Sequence, residues 1–76
     1  MELHEKFRKA LLMQRNRDEI RLTQEDIANE TGLTLRYYQK LESGESKKPS
    51  LVVVEKIARA FGRKLSEFCK YMEELD

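Results

Sequence analysis

The sequence predicts an all-α fold of five helices. Apolar residues recur at steps of three and four along most of the chain. Glycine falls only at 32, 44 and 62 and proline only at 49, between those segments rather than inside them. No stretch alternates with the period of two that marks a strand.

Each element has its own signals. Leu3, Phe7, Ala10/Leu11 and Met13/Gln14 share one face of an amphipathic helix over residues 2–18. Thr23 with Asp26 has the form of a capping box and starts a short helix that carries Ile27 and Ala28 inward. Gly32 supplies its left-handed end, and Thr34 caps a third helix with Tyr38 and Leu41 on the core side. That helix stops at Gly44, and a polar loop runs from Glu45 to Pro49. Ser50 caps a fourth helix with Leu51, Val54, Ile57, Ala58 and Phe61 on one side, and Gly62 ends it. Leu65, Phe68, Met72 and Leu75 step along a fifth helix over about 64–75.

Length and composition exclude several functions. Seventy-six residues are expected to form one domain over 1–76, and a chain of that size buries only about 60% of its unfolded surface, so a partner subunit would help it. No apolar run approaches the roughly 20 residues of a membrane span. The single Cys69 has no disulfide partner in the chain, which points to a reducing, cytoplasmic setting. One histidine, His4, and one cysteine do not make a zinc cluster. No nucleophile–base pair is apparent, so neither catalysis nor a cofactor is expected. The net charge is +1, but residues 32–50 hold four basic groups (Arg36, Lys40, Lys47, Lys48) against Glu42 and Glu45. That local excess suits an anion-facing surface.

Segment 23–44 is the informative stretch: two short helices joined through a glycine make a helix-turn-helix unit. Ala28 is small where the helices approach, and Ile27, Leu33, Tyr38 and Leu41 lock the crossing. Thr23-Gln24, Ile27-Ala28, Gly32-Leu33-Thr34, Tyr38, Leu41-Glu42 and Gly44, followed by Pro49-Ser50-Leu51, Ile57-Ala58 and Gly62, resemble the Xre/Cro-type helix-turn-helix family of phage repressors and restriction–modification controllers. The resemblance covers roughly residues 10–69 and implies a five-helix, lambda-repressor-like DNA-binding fold.

It also implies roles. The helix over 34–43 would enter the major groove. Helical geometry places Thr34, Leu35, Arg36, Gln39 and Lys40 away from the Tyr38/Leu41 core, as base-contact candidates. Arg36 and Lys40 suit guanine O6/N7, Gln39 suits adenine, and Leu35 suits a thymine methyl. The family uses the glutamine at the Gln24 position to bind a phosphate, and lays the loop carrying Ser43, Ser46, Lys47 and Lys48 along the sugar-phosphate backbone. Arg17 and Glu42 match a structural salt bridge of some members.

Three departures stand out. Arg21 occupies a position where many members have glycine. Arg63-Lys64 replaces an apolar–Ser pair before the fifth helix. Val52 and Val53 fall where polar residues are common. With Leu65, Phe68, Met72 and Leu75, the two valines offer apolar area for a homodimer. The expected function is a sequence-specific regulator of double-stranded DNA, binding a pseudo-palindromic operator as a homodimer. The alternative is a protein-interaction module of the same fold, an antitoxin subunit or an adaptor. RNA polymerase or a toxin would be the further partner.

Overall fold

The computed structural model describes residues 1–17 and 21–75, with no strand among them. The chain forms α1 (Leu3–Arg15), α2 (Gln24–Thr31), α3 (Leu35–Ser43), α4 (Leu51–Ala60) and α5 (Leu65–Glu73). α1 lies against α3 and α5, α2 against α3 and α4, and α4 against α5. The first helix is shorter than the periodicity predicts. It ends at Arg15 with Asn16 as its cap, and residue 18, the end of the expected helix, lies outside the described residues.

The capping signals do what their chemistry dictates. The Thr23 hydroxyl accepts from the Asp26 amide at 3.0 Å, and the Asp26 carboxylate accepts from the Thr23 amide at 2.9 Å. That reciprocal pair satisfies two otherwise orphaned donors. It also holds the exposed Asp26 carboxyl below its usual range, chiefly through the Thr23 backbone bond. Thr34 and Ser50 accept from Tyr37 and Val53 in the same way. At α5, lysine has no acceptor to offer as a cap, so only the return bond exists, from the Lys64 amide to Glu67 at 2.8 Å.

The core is built from all five helices. Phe7, Ala10, Leu11, Ile27, Ala28, Tyr38, Leu41, Ile57, Ala58, Phe61, Phe68 and Met72 are buried. Phe68 meets the edge of Phe7 at 84° and stacks on Phe61 at 15°, each with ring centres 6.3 Å apart. These positions correct the expected interface. Phe68 is fully buried and Met72 nearly so, so neither is available to a second subunit. Val53 and Leu75 pack partly against the same core. Leu51, expected on the inner side of α4, is instead exposed, while Val53 and Val54 of the same turn pack against the core.

Polar groups fasten the end of α1 to the turn after α4. The Arg63 guanidinium donates to the buried Gln14 side chain at 3.1 Å, and Arg17 donates to the Phe61 carbonyl at 3.1 Å. Arg63 therefore spends its Nε–H on the protein. At the other exceptional position, Arg21 adopts φ +50°, the left-handed conformation that glycine takes cheaply. The turn keeps this backbone form despite the side chain.

Candidate nucleic-acid interface

α2 and α3 are joined by residues 32–34, with Gly32 at φ +76° ending the first helix and Thr34 capping the second. Ile27, Ala28, Tyr38 and Leu41 are buried in the crossing, as their spacing predicts, and Leu33 packs partly against them. This fixes which face of α3 remains outside. Thr34, Leu35, Arg36 and Gln39 are exposed and Lys40 is half-buried. The Thr34 hydroxyl already accepts from Tyr37 at 3.1 Å, leaving its proton for an outside acceptor.

A polar network braces this helix from behind. Glu42 is 4% exposed, and Arg15 meets it with two parallel bonds, Nε to Oε2 at 2.6 Å and Nη2 to Oε1 at 3.0 Å. Gln24 donates to the same Oε1 at 3.0 Å, and Gln39 donates to the Gln24 oxygen at 3.2 Å. Burial pushes the Glu42 carboxyl up, but the Arg15 and Gln24 hydrogen bonds outweigh it and hold the group below its usual value. The Tyr38 hydroxyl sits near this pair without completing a hydrogen bond, and burial, followed by the carboxylate, pushes its pKa up and keeps the phenol un-ionised.

The partner of Glu42 is therefore Arg15, not the expected Arg17. Arg15 follows the buried Leu11 by four residues and so occupies the inward face in the last turn of α1. Arg17 lies beyond the helix end and turns toward Phe61. That step of four was visible in the sequence and would have selected Arg15. Arg8, seven residues earlier on the same face, was also missed. Its Nε donates to the Glu42 carbonyl at 2.6 Å, linking α1 to the end of α3 a second time.

The loop after α3 curls back on its own helix. The Ser46 amide donates to the Lys40 carbonyl at 3.0 Å, and the Ser43 hydroxyl donates to the same oxygen at 3.2 Å. Lys47 and Lys48 remain exposed. They flank a cleft of about 350 Å³ floored by Phe7, Val54 and Met72. Leu51, Val52 and Leu65 border a second apolar depression with Glu55.

A glycine-ended helix, a three-residue turn, and a second helix buttressed inside while its amide and basic side chains face out define a DNA-binding helix-turn-helix protein. The chain belongs to the Xre/Cro-type members of this class: the helix-turn-helix family profile matches residues 13–68. It is similar to an uncharacterized HTH-type transcriptional regulator of Methanothermobacter thermautotrophicus, 38% identical over 63 residues, covering 83% of this chain and 90% of that protein. No solved structure matches it. Among the described residues no helix is long and apolar enough to cross a membrane.

Proposed function

We propose that this protein is a sequence-specific regulator of transcription that binds double-stranded DNA as a homodimer on a pseudo-palindromic operator. The observation that carries the reading is the Arg15–Glu42–Gln24–Gln39 network behind α3. It holds one face of the helix rigidly inward and leaves Thr34, Leu35, Arg36, Gln39 and Lys40 to meet base edges. A binding helix held by packed neighbours loses little freedom when it docks. Arg36 supplies the fork that reads guanine, Leu35 an apolar contact for a thymine methyl, and Gln39 an amide for adenine. Gln24, Ser46, Lys47 and Lys48 take the phosphates, fixing register without reading sequence, while the Ser43 hydroxyl spends its proton on the Lys40 carbonyl.

The dimer would form through Leu51, Val52 and Leu65. Leu51 is 68% and Val52 60% exposed, and a small chain gains from covering such surface. Docking on two adjacent half-sites requires the two α3 helices of such a dimer to lie about one DNA turn, roughly 34 Å, apart. The same exposed patch also favours the second reading, a module that docks another protein.

Selection of binding sites from randomised duplexes, with light scattering of the complex, separates the two. An enriched inverted repeat bound by two chains supports the regulator. No enrichment, with only weak salt-sensitive binding, moves the assignment to the interaction module. In the regulator, Lys47→Ala/Lys48→Ala weakens all duplexes alike and flattens the salt slope.

A further inference from the structure

Three carbonyls near the C-terminus of α3 are satisfied one by one. Lys40 accepts from Ser46 and Ser43, Leu41 accepts from the Gly44 amide at 3.3 Å, and Glu42 accepts from Arg8 at 2.6 Å. Three of these donors are local to α3 and its loop. Arg8 comes from α1, outside the helix-turn-helix unit. Its stem runs over Gly44, where an added Cβ would stand 3.4 Å from the Arg8 Cδ. The side chain is thus laid across the C-terminus of the helix expected in the groove, at the start of the loop that carries Lys47 and Lys48.

We propose that Arg8 is a phosphodiester contact. A guanidinium presents donors along two edges. With Nε committed to Glu42, the end formed by Nη1 and Nη2 remains, and that pair matches two phosphate oxygens. The residue is exposed, and the ion pairs seen among the described residues, Arg15–Glu42 and Arg59–Glu55, do not involve it. The Nε bond orients the fork before DNA arrives, which a free surface arginine lacks. This inference rests on the DNA-binding reading and adds to it a contact from α1, outside the helix-turn-helix unit.

The test measures binding of the full chain to its selected duplex by fluorescence anisotropy over 50–300 mM KCl, with thermal unfolding in parallel. Arg8→Gln is expected to lower the slope of log affinity against log salt by roughly 0.9, as loss of one phosphate contact requires. Its loss of affinity should be equal on operator and random duplex. Arg8→Lys, which keeps the charge, should keep the slope. A merely structural cap predicts the reverse: lower unfolding temperature for Arg8→Gln with an unchanged slope, and that result overturns the proposal. In the wild-type chain the Nε–H NMR signal of Arg8 should move when duplex is added, and an unmoved signal overturns it too. Failure of the wild-type chain to bind any duplex would defeat the DNA-binding reading itself, an outcome distinct from an unchanged slope in a chain that binds.

Discussion

Gln24 and Gln39 are joined across the two helices of the unit. The Gln39 amide donates to the Gln24 oxygen at 3.2 Å while Gln24 spends its own amide on Glu42 at 3.0 Å. A residue on the outer face of α3 is therefore wired to a buried carboxylate through one intermediate. The direction of the bonds fixes the Gln24 amide flip, because only nitrogen can face Glu42. Gln24→Ala should lower stability by about 1 kcal/mol, the usual net worth of such a bond, and should also loosen Gln39. Gln39→Ala, at an exposed position, should leave stability nearly unchanged. Denaturant unfolding of both variants checks the asymmetry; equal losses would mean the outer bond, not the inner one, holds the helix.

Arg15 and Glu42 form the more buried of the two ion pairs seen among the described residues, with side-chain exposures of 19% and 4%. Removing one partner strands the other, so Arg15→Met should cost about 3 kcal/mol. Arg15→Met/Glu42→Leu removes both charges and should be more stable than Arg15→Met alone, since no orphaned charge remains. Arg17→Met should not couple to Glu42 at all. A double-mutant cycle by urea denaturation separates these outcomes.

Much of this architecture was legible in the sequence, and for identifiable reasons. The five helices, the Thr23/Asp26 box and the buried Ile27, Ala28, Tyr38 and Leu41 follow from local chemistry and helical period, which act within a few residues. Misassignments arose where tertiary packing decides. The Leu65–Leu75 stripe is apolar whether it faces a partner or its own core, and only the Phe7 and Phe61 rings reveal that Phe68 is taken. Arg15 and Arg17 differ by two positions, and the choice turns on where α1 ends. Gln14 is polar yet buried because Arg63, 49 residues away, reaches it, a pairing no local pattern encodes.

Stability should fall in acid. The Glu42 and Asp26 carboxyls are both held below their unfolded values. The stabilisation from such groups is complete above the unfolded carboxyl range, near pH 4, and drains away as pH falls through the folded values. Glu42 should dominate, since Asp26 is exposed and screened by water. Unfolding midpoints measured from pH 7 down to 2.5 should drop in wild type. In Glu42→Gln they should start lower and change less. An equally steep fall in Glu42→Gln would assign the acid sensitivity to other groups.

Gly32 and Gly44 both lie in the left-handed region, at φ +76° and +85°, but their surroundings differ. Nothing stands within 4 Å of a Cβ built at Gly32, so Gly32→Ala should cost only the backbone strain, about 1–2 kcal/mol. Gly44→Ala meets the Arg8 stem at 3.4 Å as well. At that ordinary contact distance it should cost about the same and leave the Arg8–Glu42 bond in place. Thermal unfolding gives the first comparison and the Arg8 Nε–H signal the second.

Arg36 is the sharpest test of how α3 reads DNA. It is exposed in the first turn of the helix, and its guanidinium is committed to no carboxylate seen among the described residues. If it grips guanine with both donors, Arg36→Ala loses about 1–3 kcal/mol on the selected operator and much less on random duplex. The site preferred by the variant should then relax at one base pair per half-site. A phosphate contact would give equal losses on both duplexes together with a shallower salt slope. Repeating the site selection with Arg36→Ala tells the two apart, since only base contact changes which sequence is recovered.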